Sequence, residues 1–116
     1  MADRTLYLVF SNPTPGKEDE FNQWYDEVHV RDVLATPGML SAQRYKLADA
    51  AISGEGGMPP PPQRYLLVYE MEGDIDVIMG KVSEAAMSGT MVMSDALDMT
   101  SIAMSFWKPT GSKITA

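Results

Sequence analysis

Hydrophobic and polar residues alternate in four segments of the chain, and alternation with a period of two is typical of a strand with one buried face. The four predicted strands cover residues 5–11, 39–47, 64–72 and 101–107. Each strand carries large side chains on both faces, because Leu6 and Phe10, for example, alternate with Tyr7 and Val9. The alternation therefore predicts the strands but not which of their faces packs against the rest of the chain.

The spacing of an amphipathic helix is found in residues 17–35 and 73–89. At helical spacing, four residues of the first helix lie near one line along its surface: Phe21, Trp24, Val28 and Asp32. In the second helix, Asp74 or Asp76 is positioned to cap the first turn and Gly89 to end the last. Together with the strands, these segments predict the order βαββαβ.

That order predicts an α+β domain of the ferredoxin-like class, with a four-stranded antiparallel sheet and two helices on one of its faces. A single domain is expected over residues 1–116, with a flexible Gly/Pro-rich loop at 48–63 and a polar tail at 109–116. Residues 90–99 are compatible with a short helix or a loop. The second face of the sheet is also apolar, and a chain of this size cannot cover both, so we expect a homodimer that packs sheet against sheet.

Composition removes several classes of function. The chain has 116 residues, no cysteine and one histidine, which excludes disulfides, thiol catalysis and a multi-histidine metal site within one chain. A net charge of −7 with scattered lysine and arginine argues against nucleic acid or an anionic membrane as partner. No apolar run approaches the roughly 20 residues of a membrane-spanning helix, and the N-terminal residues lack a secretory pattern, so a cytoplasmic location is expected.

Methionine is frequent, with ten residues, six of them in the last third of the chain. These six are Met79, Met87, Met91, Met93, Met99 and Met104. Methionine adapts to irregular apolar space. The interpretation that we favour from sequence is filling of the core, and the alternative is an adaptable wall around an apolar ligand.

The first predicted helix also carries a more specific pattern. It contains Trp24 and Tyr25, then His29, Asp32 and the pair Pro37–Gly38. This arrangement resembles the W-Y-x-x-x-H-x-x-D-x-x-x-x-P-G pattern of EthD-like members of the dimeric α+β barrel superfamily. The βαββαβ order extends the resemblance over most of the chain.

The resemblance implies a dimer whose two sheets face each other, and a pocket in each subunit between the sheet and its own helices. Relatives of this kind include cofactor-free cyclases, lactone isomerases, small monooxygenases, haem-degrading enzymes and proteins with no assigned activity. The fold alone therefore does not define the reaction.

His29, Tyr25 and Asp32 are the candidate catalytic residues. Tyr25 and His29 are neighbours at i, i+4, and His29 and Asp32 at i, i+3, so the three form one polar edge of the helix. An imidazole can exchange a proton near neutral pH, a carboxylate can orient it, and a phenol can donate to a developing oxyanion. The alternative is structural, with His29 and Asp32 forming a surface pair or His29 bridging to a loop or a second subunit.

The candidate substrate-binding residues are Trp24, Tyr69, Trp107 and Met104. Trp24 is also expected to pack on the sheet with Phe21, since aromatic residues at helical spacing usually belong to the core. Arg44 is either an anchor for an anion or, as we favour from sequence, a solvated arginine at the sheet edge.

We therefore hypothesise a small cofactor-independent enzyme. It performs cyclisation, isomerisation or dehydration on a cyclic, aromatic or polyketide-like carbonyl compound, with no metal and no cofactor. The first alternative is a non-catalytic protein that binds an apolar or aromatic small molecule. The second is a haem-binding or small monooxygenase-type protein.

Overall fold

The four predicted strands form one antiparallel sheet in the computed structural model, which describes residues 4–116. The strands are β1 (Arg4–Ser11), β2 (Met39–Lys46), β3 (Tyr65–Glu72) and β4 (Ala103–Trp107), in the spatial order β2-β3-β1-β4. In the register of the central strand, Tyr7 lies opposite Tyr69 of β3 and Phe106 of β4. This topology confirms the ferredoxin-like α+β prediction.

Burial shows which face of the sheet packs against the helices. In β1 the buried set includes Tyr7 and Val9, and in β3 it includes Leu67, Tyr69 and Met71. These residues belong to the same core cluster as the buried residues of the helices. The opposite face carries apolar side chains that nothing in the described chain covers completely.

The sequence predicts one regular α-helix at residues 17–35, but the structure has three consecutive helical segments there. These are α1 (Glu18–Trp24), a π-helical turn (Tyr25–His29) and α2 (Val30–Leu34), and we call them together the first helix. A π-helical turn holds more residues than an α-turn, so every residue after it is displaced around the helix axis. Tyr25 and Val33 are consequently buried, whereas Val28 and Asp32 are only partly buried. The predicted line was wrong at Asp32 for this reason, whereas Val28 still packs against the core.

The second predicted helix is α3 (Ile75–Ser88). Asp74, rather than Asp76, is its cap, because the Asp74 carboxylate accepts a hydrogen bond of 2.9 Å from the Val77 N–H. Gly89 ends it with a φ of +82°, a conformation that glycine adopts without strain. Within α3 only Ile78 is buried. None of the helices in residues 4–116 combines the length and apolar character needed to span a bilayer.

The connections have little regular structure. A 3₁₀ turn at Ala51–Ser53 interrupts the predicted loop at 48–63. Residues 90–102 form an irregular segment rather than a helix, and this segment is tied to the chain after β1 by a bridge between Pro13 and Leu97. It runs beside the first helix and contributes to the site described below.

Candidate functional site

A cavity of about 450 Å³ lies between the sheet, the first helix, α3 and the irregular segment 90–102. Its floor is formed by β1, β3 and β4, and its lining is almost entirely apolar. Five methionines from three parts of the chain line it: Met79, Met91, Met93, Met99 and Met104. Of these five, only Met91 is fully buried. The interpretation of the methionines as core filler was therefore wrong for Met93, Met99 and Met104, which the adaptable wall describes better, whereas Met79 also packs against the core.

Five polar side chains enter this apolar lining, namely Tyr7, Tyr25, Tyr69, His29 and Ser83. The Tyr7 hydroxyl donates to the Met104 Sδ at 2.9 Å, and Tyr25 has a side-chain hydrogen bond with Ser11. By contrast, the Tyr69 hydroxyl and His29 Nδ1 are buried without a hydrogen-bond partner among the residues that the structure describes. Buried polar atoms normally have partners, since leaving one unpaired costs about 1–3 kcal/mol.

The three tyrosines and His29 are all neutral at neutral pH, and burial strengthens this preference. Desolvation lowers the pKa of His29 from 6.5 to about 4, although the charge of Asp32 opposes this shift. Desolvation raises the pKa of Tyr7 to about 12 and also raises the pKa of Tyr69. For Tyr25, burial raises the pKa against the opposing effects of Ser11 and Arg44. The site thus offers phenolic donors beside an uncharged imidazole.

Neighbouring rings hold His29 in place. The imidazole stacks on Trp24 with ring centres 4.5 Å apart and meets Tyr25 edge-on at 5.3 Å. Tyr25 itself packs edge-on against Phe21 at 4.9 Å, and the Arg44 guanidinium lies over its ring at 4.9 Å. His29 and Tyr25 therefore project from a well-packed part of the first helix into the cavity.

Arg44 is not the solvated arginine that we favoured from sequence. Its side chain is 16% exposed, and it bonds the Asp26 carboxylate at 2.9 Å and the Asn22 side-chain oxygen at 2.8 Å. Because its guanidinium is engaged in these bonds and in ring contacts, it links β2 to the first helix. It does not line the cavity, so it is not placed to bind an anion there.

Of the predicted site residues, the structure brings His29, Tyr25, Tyr69 and Met104 together around the cavity. Asp32, Trp24 and Trp107 do not line it. Asp32 and Trp24 instead bond the backbone of Val92, at 3.2 Å and 2.9 Å respectively. Trp107 lies on the opposite face of the sheet from the cavity, paired with Leu6.

Strand alternation left open whether Tyr7 faces the cavity, and sequence reasoning missed Ser83 as a cavity residue. Ser83 is a single small polar residue on the inner side of α3 and has no distinguishing pattern. The number of methionines in the last third was the one signal for the wall that they form.

Comparison with known proteins gives the fold. No protein-family model matches the chain, and no curated protein matches it in sequence. A candidate monooxygenase from Shewanella loihica superposes with a TM-score of 0.61 at 13% identity, covering 97% of this chain and 99% of that one. An EthD family protein from Bacillus halodurans superposes with a TM-score of 0.57 at 12% identity, covering 93% of this chain and 99% of that one.

A monooxygenase from Streptomyces coelicolor in complex with nanaomycin D is more distant, with a TM-score of 0.47 and 14% identity over 99% of this chain and 94% of that one. At these identities the likeness concerns the fold. The resemblance seen in the sequence is confirmed at that level: the chain has the ferredoxin-like α+β fold that an EthD family protein also has.

Proposed function

We propose that the cavity binds a neutral cyclic or aromatic ketone and that His29 removes a proton next to the carbonyl group. The single observation that carries this proposal is the pair of buried, unpartnered polar atoms in one apolar cavity, His29 Nδ1 and the Tyr69 hydroxyl. A ligand that pairs with both would remove the unfavourable free energy of their burial.

The chemistry of the two atoms defines the ligand. The Tyr69 hydroxyl is a donor and fits a carbonyl oxygen. In the tautomer that carries its proton on Nε2, the neutral imidazole of His29 presents Nδ1 as an acceptor and base. None of the residues that line the cavity carries a charge at neutral pH, so an uncharged ligand is favoured over an anion or a cation.

The proposed step is enolisation. A proton moves from the carbon next to the carbonyl group to His29 Nδ1. The electron pair of the broken C–H bond forms a carbon–carbon double bond, and the π pair of the carbonyl group moves onto its oxygen. Tyr69 stabilises the resulting oxyanion by hydrogen bonding, and Tyr25 lies next to the imidazole to assist. Asp32 has no hydrogen bond to His29, so its role in this step is limited to electrostatic stabilisation of the imidazolium.

The proposal predicts that 2-tetralone, a neutral bicyclic ketone, binds the cavity and that Tyr69→Phe weakens its binding about tenfold by removing one hydrogen bond. Isothermal titration calorimetry measures the binding. Tetralin has the same shape without the carbonyl oxygen, and its binding should be insensitive to Tyr69→Phe. Deuterium incorporation next to the carbonyl group, followed by NMR in D₂O, should be faster with the native protein than with His29→Phe.

The outcomes of this experiment separate the hypotheses. Binding that depends on Tyr69, without faster deuterium incorporation, would favour a non-catalytic binding protein. Tetralone that binds no better than tetralin would contradict the proposed site. Oxygen-dependent consumption of the tetralone, absent under argon, would favour monooxygenase-type chemistry, the activity for which the S. loihica protein of the same fold is a candidate.

We also propose that the chain forms a homodimer through the uncovered face of its sheet. Leu6 is 41% exposed there and its neighbour Trp107 is 57% exposed, so a wide apolar surface faces outward. Light scattering during size-exclusion chromatography should give twice the chain mass of 12.7 kDa. Leu6→Arg should reduce it to the single mass, whereas Val77→Arg, on the exposed side of α3, should not.

A further inference from the structure

Both backbone groups of Val92 are held by side chains of the first helix. The Trp24 Nε1–H donates to the Val92 carbonyl oxygen at 2.9 Å. The Val92 N–H donates to the Asp32 carboxylate at 3.2 Å. Trp24 and Asp32 lie in different segments of the first helix, one on each side of the π-helical turn. We call this arrangement, which comprises Trp24, Asp32 and the Val92 backbone, the Val92 clamp.

The Val92 clamp joins two parts of the cavity wall. The residues on either side of Val92 are Met91 and Met93, and both line the cavity. Trp24, which holds the carbonyl oxygen, also stacks on the His29 ring at 4.5 Å. The clamp therefore connects the methionine wall directly to the imidazole.

Burial of side chains does little to hold this part of the segment. The Val92 side chain is 56% exposed and that of Met93 is 47% exposed. Burial of apolar side chains stabilises a structure in proportion to the area removed from water, so these two half-exposed side chains contribute little stabilisation. Met91 attaches the wall in two other ways. Its side chain is buried, and its N–H donates to the Ala85 carbonyl oxygen of α3 at 3.0 Å. Around Val92 itself, the attachment to the first helix is the clamp.

We propose that Trp24 and Asp32 are positioning residues, which act through Val92 to keep the methionine wall closed over the cavity and water away from His29. In this role they touch no ligand, which explains why neither lines the cavity although both stand beside His29 in the sequence pattern. The inference concerns the same cavity as the proposed function, but it can be tested without any ligand.

His29 is the only histidine in the chain, so ¹⁵N NMR reports its titration without overlap. When the clamp is broken by Trp24→Phe or Asp32→Ala, water should reach the imidazole and the pKa of His29 should rise by at least about one unit toward 6.5. Hydrogen exchange at the Val92 amide should become at least about tenfold faster in Asp32→Ala, because its N–H loses its acceptor.

Asp32→Ala makes the readout specific. The negative charge of Asp32 raises the pKa of His29, so loss of the charge alone would lower that pKa. A rise in Asp32→Ala can therefore come only from the entry of water. Tyr25, the other titratable group against the imidazole, is unchanged in both variants. Asp32→Asn keeps an oxygen that can accept the Val92 N–H, and it should restore slow exchange at Val92.

Trp107→Phe is the matched control, because the Trp107 Nε1–H donates to Ser105 at 2.7 Å, on the face of the sheet away from the cavity. It should leave both the pKa of His29 and the exchange at Val92 unchanged. The proposal is overturned if Asp32→Ala lowers the pKa of His29, or if Trp24→Phe leaves it unchanged in a folded protein. No ligand takes part in this test. A negative result for the clamp would therefore not contradict the proposed ketone site, and a negative result with tetralone would not contradict the clamp.

Discussion

Gly38→Ala is expected to lower the free energy of unfolding by about 2 to 4 kcal/mol. Gly38 has a φ of +102°, which strains any residue with a side chain. A Cβ at this position would lie 2.5 Å from Ile78 Cδ1 and 3.2 Å from the Glu72 carbonyl oxygen. Ile78 is the buried residue of α3, so pushing it outward would also loosen that helix. Urea denaturation followed by circular dichroism measures the change.

Gly80→Ala is the matched control for this substitution. Gly80 lies inside α3, and a Cβ added to it meets nothing within 4 Å. Alanine is favoured over glycine in a helix, so this variant should be more stable by up to about 1 kcal/mol. Similar stability of the two variants would contradict the steric role of Gly38. The close approach to Ile78 gives Gly38 of the sequence pattern a structural reason.

The strands and their order could be predicted from the sequence because each depends on a short-range pattern. Alternation in residues 5–11 and 64–72 places side chains on two faces whatever the rest of the chain does. The end of α3 was predictable too, since Gly89 supplies the conformation that stops a helix. Packing between elements distant in sequence determines which face of the sheet meets the helices. The alternation within a strand carries no information about that choice.

The π-helical turn had no local signal. In a regular helix Val33 would turn away from the line that contains Phe21, and Asp32 would take its place. The structure buries Val33 instead and leaves Asp32 at the side, where it meets Val92. The gain from burying valine rather than a carboxylate is a tertiary effect, and it explains why periodicity placed Asp32 rather than Val33 on the line.

The candidate site was predicted in part. His29 and Tyr25 were identified because residues at i, i+4 on a helix remain neighbours, and this also holds through the π-helical turn. The contacts of Trp24 and Asp32 lie 68 and 60 residues further along the chain, at Val92. Contacts at that distance have no spacing rule, so a catalytic or substrate-binding role for these two residues was inferred from their neighbourhood to His29 alone.

Acidification from about pH 7 to about pH 5 is expected to lower the free energy of unfolding by about 2 kcal/mol through His29. The pKa of His29 is about 4 in the folded chain, against an ordinary value of 6.5, because burial disfavours its charged form. The unfolded chain therefore binds a proton first as the pH falls, and protonation favours unfolding. The effect begins near pH 6.5 and is complete only below about pH 4.

Carboxylates act in a lower window. The hydrogen bond from Tyr65 lowers the pKa of Glu18 from 4.5, and hydrogen bonds from Thr100 lower the pKa of Asp98 from 3.8. The stability that these two groups contribute is present above their ordinary values and is lost as the pH falls through the lowered ones. Their titration consequently lies below the range between pH 5 and pH 6.5, where the chain has one histidine to respond.

His29→Phe isolates the contribution, since phenylalanine keeps an aromatic ring against Trp24 and has no group to protonate. Urea denaturation at a series of pH values should show a slope approaching 1.4 kcal/mol per pH unit between about pH 5 and pH 6 in the native chain and little slope in the variant. Equal slopes in the two proteins would mean that water already reaches the imidazole. A solvated His29 would titrate near 6.5 in both the folded and the unfolded chain and would contribute no slope. Such a result would also contradict the closed cavity with a neutral imidazole on which the proposed chemistry depends.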